Sequence, residues 1–380
     1  MGIDSEPSLV RNWPEIEVLF GGFEAIDDLA RATGALSRRR LVRDGSQLLR
    51  LALNYATAGG SLRTTAGWSE FSLGVAFSDV ALLRRLRESG DFLASLATVL
   101  LARLARDAAP SGAWSGPPIR LVDGSLFIGP GRKGGRLRMH ASYDPARQMF
   151  TAFDVTDIKR GESLSLAGIE PGDIAVADRN YAKTHALRRL SEIEAFFAVR
   201  AGIRSTRMLD SRDGERLGAA GVLAALGEAG EAELEVGLIE AKLKKGSHLE
   251  PVQARLVILR AGDAFAAHEN ARIERSRRTH KATPTEDTLA LAGVVMILTN
   301  LPAEAWPIRR IADLYRLRWQ IELAFKTLKS TFVMRDVPAK DPRLARSWIL
   351  ANLAAALLAE ILSSAIERAI PPSEDKPAAA

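Results

Sequence analysis

Leu314 to Ser330 reads LYRLRWQIELAFKTLKS, and its spacing decides how the rest of the chain is read. On an ideal helix at about 100° per residue, taking Tyr315 as zero, Arg318 falls at roughly 300°, Glu322 at roughly 340°, Lys326 at roughly 20° and Lys329 at roughly 320°. One narrow face therefore carries an aromatic, an acid and three bases. Leu314, Leu317, Ile321, Ala324, Phe325 and Leu328 fall between roughly 180° and 280°, an apolar stripe beside that face. The spacing predicts one helix, anchored by its apolar side and presenting polar groups on the other. Arg318 with Glu322 and Glu322 with Lys326 are also ordinary i,i+4 pairs of a solvated helix, so the stretch alone does not fix a function.

Two further acids sit where a site would want them. IRLVDGSLFI (119–128) places Asp123 among apolar and β-branched residues, and DIAVADRNYA (173–182) places Asp178 at the end of an apolar run. Both read as strand ends, although Asp-Gly is also a common turn and Asp178-Arg179 a common surface pair. Three carboxylates converging on one pocket would repel, and protonation or a bound cation relieves them. Oxygen-only ligands suit magnesium or manganese. With no cysteine and five scattered histidines, a structural zinc site is not expected.

The combined order is Asp123, then Asp178-Arg179-Asn180-Tyr181, then Tyr315, two residues, Arg318, three residues, Glu322, six residues, Lys329. In these residues the sequence resembles the bacterial DDE transposases of the insertion-sequence-4 family, with supporting similarity from Gly34 to Ile361. The resemblance implies an α/β fold: a ribonuclease H-like catalytic core with a helical N-terminal domain and a β-rich insertion. It implies that Asp123 and Asp178 end neighbouring central strands and, with Glu322, serve as catalytic residues holding two Mg2+ ions, for which Mn2+ can substitute. Such a pair activates a water or a 3′-hydroxyl and stabilises the leaving oxygen. Arg318 and Lys329 would grip phosphates, with Lys326 beside them and Tyr315 holding the flanking backbone. The DNA partners would be the terminal inverted repeats and a target duplex, held by a homodimer in a synaptic complex. Asn180 stands where the family usually has glycine; asparagine best tolerates a left-handed backbone there. Family members can flip a base near the site, but Trp306 and Trp319 read as core packing.

Charge agrees with a polyanionic partner. The net charge is +6 with a pI near 9.7, and eight Lys/Arg against four Asp/Glu lie between Ile311 and Arg346. The 380 residues, 47% of them hydrophobic, can bury a large core in two or three domains. Absent cysteine fits a reducing cytoplasm, and MGIDSEPSLVRNWPEI shows no signal peptide, so a cytoplasmic, nucleoid-associated protein is expected. Trp348 to Ile366 is long enough to span a bilayer, but Asn352 and Glu360 make a buried helix the better reading.

Along the chain, residues 1–110 read as a helical region for binding DNA ends, with Ser78 a candidate N-cap and Arg84, Arg85 and Arg87 facing either solvent or phosphate. GAWSGPP at 112–118 marks a boundary. Residues 111–202 read as the first part of the core, 203–287 as the β-rich insertion, 288–346 as the second part with the catalytic helix, 347–370 as a C-terminal helix and 371–380 as a disordered tail. The separation of 144 positions from Asp178 to Glu322 leaves ample room for the insertion. ARIERSRRTHKAT (271–283) reads as a solvated loop, with DNA contact the lesser alternative.

Competing motifs fail. Gly129, Gly131 and Gly134 form GxGxxG, but Pro130 lies inside and a strand pattern follows, so a basic hairpin loop with Arg132 and Lys133 is expected instead. No GxSxG, HExxH or complete phosphate loop is present. Two other classes stay open: a catalytically decayed or repurposed DNA-binding protein of the same fold, and a glycosidase using Asp123 and Glu322 without metal. The basic face and 6% aromatic content weigh against a sugar cleft.

Overall fold

The computed structural model describes residues 12–37, 41–107, 114, 116–131, 136–240, 249–280, 283–331, 334 and 336–369. Arg132, Lys133, Gly134 and the tail 371–380 lie outside these residues, as do parts of the 112–118 boundary.

Six helices come first: α1 (Trp13–Leu19), α2 (Phe23–Ala32), α3 (Gly45–Thr57), α4 (Leu62–Leu73), α5 (Asp79–Arg87) and α6 (Gly90–Asp107). Short polar side chains cap α3, α4 and α5: Asp44 accepts from the Gln47 amide, Ser61 from Thr64, and Ser78, as expected, from Ala81. The arginine cluster on α5 is largely committed to the fold. Arg85 donates to the Ala35 carbonyl and Arg87 pairs with Asp341, leaving Arg84 exposed.

A nine-stranded sheet follows, comprising β1 (Ile119–Ile128), β2 (Arg136–Asp144), β3 (Met149–Asp157), β4 (Ile174–Ala177), β5 (Phe196–Arg200), β6 (Arg207–Asp210), β7 (Glu231–Ile239), β8 (Val252–Arg260) and β9 (Val294–Thr299). The spatial order is β3-β2-β1-β4-β5-β9-β8-β7-β6. β1, β4 and β5 are parallel and every other pairing is antiparallel. The mixed sheet makes this an α/β protein. Its alternation separates two cores: Leu121, Phe127, Ile174 and Val176 face one layer, while Val122, Ala175 and Ala177 face the other. β4 is buried on both faces, which is why its sequence is apolar throughout.

One face is covered by α1–α6 together with α11 (Ile308–Arg316), α12 (Trp319–Thr331) and α13 (Pro342–Ala369); the other by α7 (Thr184–Glu192) and α8 (Ala219–Leu226). Within α13, Pro342 to Ile366 is apolar enough to cross a bilayer by composition, yet half of its most apolar window is buried inside the protein. It packs along α6 and α3, and the buried Asn352 donates to the Trp348 carbonyl at 2.9 Å. That is the buried helix expected, beginning at Pro342 rather than 347.

The 203–287 segment supplies β6, β7 and β8, which join the same sheet as the core because β8 pairs with β9 over Arg255 to Arg260. Two sequence expectations need correction. Residues 271–280 are not a loop: they complete the helix α9 (Asp263–His280), whose ion pairs Glu269–Arg272 and Glu274–Arg278 run at i,i+3 and i,i+4. A short α10 (Glu286–Ala290) follows. Finally, Leu314–Ser330 is two helices. The amides of Leu317, Arg318 and Gln320 bond three residues back, tightening the chain into a turn between α11 and α12.

Candidate active site

Parallel pairing of β1 with β4 ends at Val122 opposite Ala177, so Asp123 and Asp178 are the next residues on neighbouring strands. By alternation both side chains project on the face of Leu121 and Val176, the face that α12 covers. Asp178 directly follows β4, as expected. Asp123 is mid-strand, because β1 runs on to Ile128 along β2 after leaving β4.

Asp178 accepts from the Asn180 amide at 2.8 Å and opens a single 3₁₀ turn, Arg179–Tyr181. Among the described residues Asn180 is not at positive φ. The left-handed turn expected there does not form; a right-handed one does, and it has no need of glycine. It delivers Tyr181 into the second core, where its hydroxyl is buried without a hydrogen-bond partner. That hydroxyl lies 3.2 Å from where a Cβ on Gly124 would be, so the glycine after Asp123 is there to admit Tyr181.

α12 is fixed on β1 by Ile321, Phe325 and Leu328, all buried, with Phe325 against Phe150 at a 5.5 Å ring separation. Burying three such side chains contributes roughly 1.5–3 kcal/mol each. Lys329 adds a polar bolt: its ammonium donates to the Leu126 carbonyl at 2.9 Å and lies 4.4 Å from the Phe127 ring. Burial pushes the Lys329 amine below the usual lysine range. Glu322 and Lys326 thus face a cavity of about 340 Å³ whose opposite wall is Asp123, Gly124 and Ser125.

Burial raises the Asp123 carboxyl to about 6. The Gly124 amide at 2.8 Å opposes this, the charges of Asp178 and Glu322 add to it, and Arg318 opposes it. All three acids therefore share one electrostatic environment. Glu322 is 53% exposed and paired with Arg318 at 2.6 Å. The Arg318 guanidinium stands 6.0 Å from the Tyr315 ring. Among the described residues no three acids or histidines stand close enough to hold a metal ion. The donor chemistry nevertheless fits a hard divalent cation: every candidate ligand is a carboxylate oxygen, and Asp123 carries a charge that burial and its acidic neighbours disfavour.

The chain from Trp114 to Leu358 matches the family described as the Transposase DDE domain. The chain belongs to the DDE transposase family. Similarity extends well beyond the matched segment. This transposase is 38% identical to the transposase of insertion sequence element IS421 from Escherichia coli over 370 residues, 96% of each chain. It is equally similar, over 369 residues and 96% of each chain, to InsL, named as a transposase for element IS186A of Escherichia coli strain K12. The transposase of IS231B from Bacillus thuringiensis subsp. berliner is 24% identical over 339 residues, covering 81% of this chain and 70% of that one. The enzyme cleaves and transfers DNA, and transposases of this domain generally use divalent metal ions.

Sequence reasoning left two features of this region unread. Trp306 is buried as expected, but Trp319 is 53% exposed and lines a cleft with Arg200, Tyr315 and Arg318. The turn at Leu317–Arg318 rotates it out of the core. Arg272 lies in the run read above as a loop, and Glu269 just before it carried no assignment; their i,i+3 spacing was the signal available.

Proposed function

We propose that this transposase is of the insertion-sequence-4 type, with Tyr315, Arg318, Glu322 and Lys329 as its signature and a ribonuclease H-like core. It binds the terminal inverted repeats of its element, cuts the DNA ends and joins them to target DNA as a homodimer, in the cytoplasm at the nucleoid. The observation that carries this reading is the register of β1 against β4, which makes Asp123 and Asp178 neighbours beneath the helix of Glu322.

Asp123, Asp178 and Glu322 would hold two Mg2+ ions, or Mn2+ in their place. When bound, the metal supplies charge neutralisation and activation of the attacking oxygen. The chain's own residues do the rest. Were Glu322 to take a metal with the two aspartates, its partner Arg318 would be free to fork a phosphate. Lys326, exposed at the cavity mouth, adds a mobile point charge. Lys329 keeps α12 seated on β1 while offering its remaining N–H groups to the DNA. Tyr315, packed beside Arg318, limits where that guanidinium can swing.

The test is cleavage of labelled duplexes carrying either the element's terminal repeat or a scrambled end, with magnesium and with EDTA. Cutting confined to the repeat end and lost in EDTA is expected. Binding without cutting under every metal condition would point to a decayed copy and would overturn the proposal.

A further inference from the structure

A second charged cavity lies behind Asp178. Arg179, next in sequence to Asp178, Arg200, the last residue of β5, and Arg272 on α9 all point their guanidinium groups at one carboxylate oxygen of Glu269, at 3.5, 3.6 and 2.8 Å. Glu269 is only 7% exposed, while the three arginines remain partly open to solvent. A cavity of about 180 Å³ opens between them, and Arg204, Glu269 and Asp287 complete its charged lining. Four arginines against two acids leave the wall at a net +2.

One carboxylate cannot satisfy this set. Each guanidinium carries five N–H donors in a rigid fork, so most of the donors around Glu269 are left for another acceptor. Three like charges gathered on one oxygen also repel, and a second anion relieves them. Arg200 is held further by the Phe265 ring, 5.2 Å from its guanidinium. It also lines the adjoining cleft of about 450 Å³ that contains Tyr315, Arg318 and Trp319. A polyanion leaving Arg318 therefore meets Arg200 next and this cavity after it.

We infer that the Arg179–Arg200–Arg272 cavity is a phosphodiester subsite for the DNA strand that passes the Asp178 end of the sheet. The inference rests on the DNA-end reading above and adds α9 to the DNA interface. Glu269 cancels one of the three charges and keeps the guanidinium groups gathered.

The experiment measures the affinity of the full-length protein for a fluorescent terminal-repeat duplex by anisotropy across a salt series. Arg272→Gln is expected to reduce the slope of log affinity against log salt by about one, and Arg200→Gln by a similar amount. Arg272→Lys keeps the charge and should keep the slope. Arg189→Gln, which removes an exposed arginine of α7 paired with Glu192, should leave the slope at the wild-type value. Slopes for Arg272→Gln and Arg200→Gln equal to that of Arg189→Gln would overturn the inference. So would unchanged slopes accompanied by a thermal stabilisation from inorganic phosphate alone that Arg272→Gln abolishes, since the cavity would then take a free anion. Cleavage by wild type in the same samples separates the two claims: no cutting with a reduced slope for Arg272→Gln defeats the proposed function and leaves the subsite standing, and cutting with unchanged slopes does the reverse.

Discussion

Arg318 and Glu322 form a 2.6 Å ion pair at the mouth of the cleft that holds Asp123. Arg318 and a cation held by the acids would compete for the Glu322 carboxylate. Arg318→Ala should therefore tighten Mn2+ binding in the absence of DNA while weakening DNA binding. The pair is half exposed, so its contribution is at most about 1 kcal/mol and the gain in metal affinity at most about fivefold. Paramagnetic titration of Mn2+ would show it. Unchanged or weaker binding would mean that Arg318 does not hold Glu322 back.

His140 carries a pH dependence. It is 1% exposed, its Nε2 lies 3.0 Å from the Thr156 hydroxyl, and its Nδ1 has no partner. Burial lowers it to about 4, with the charges of Arg138, Arg160 and Lys183 helping and Asp154 opposing. A histidine depressed on folding stabilises the native state above its unfolded value of 6.5, and that contribution is lost as pH falls through 4. The amount at stake is about 3 kcal/mol. Urea denaturation of wild type and His140→Gln between pH 7 and 4 should give curves that converge as pH falls; parallel curves would show the histidine is not buried neutral.

Gly124 and Tyr181 should behave as one unit. An added Cβ at residue 124 would sit 3.0 Å from the Arg138 side chain and 3.2 Å from the Tyr181 hydroxyl, so something must give. Gly124→Ala is expected to destabilise by about 1–3 kcal/mol. Tyr181→Phe removes a buried, unpartnered hydroxyl and should be neutral or stabilising. In the Phe background the cost of Gly124→Ala should shrink, giving a coupling of about 0.5 kcal/mol or more in a double-mutant cycle. Strict additivity would mean that the two groups do not meet.

Much of this arrangement was legible in the sequence, because the forces that place it are local. The apolar runs around Asp123 and Asp178 are short and carry β-branched residues, as strands do, and the spacing of Ile321, Phe325 and Leu328 marks the buried face of α12. What stayed hidden depends on pairing at a distance. Nothing in AELEVGLIEAK or PVQARLVILR states that these strands join the core sheet, since the register of β8 against β9 is set by residues some forty positions apart. The turn at Leu317–Arg318 was invisible because its residues are good helix formers; packing of α11 and α12 on different parts of the sheet overrides that preference. The arginine cluster around Glu269 gathers three segments that only the fold brings together.

The most direct test of the three-acid site measures cutting and binding together, using the terminal-repeat duplex with magnesium and the variants Asp123→Asn, Asp178→Asn and Glu322→Gln. Each should retain DNA binding while its cleavage rate falls by at least about a hundredfold. Glu322→Gln cutting at the wild-type rate would contradict the site, because the helix packed over Asp123 and Asp178 would then contribute no catalytic acid.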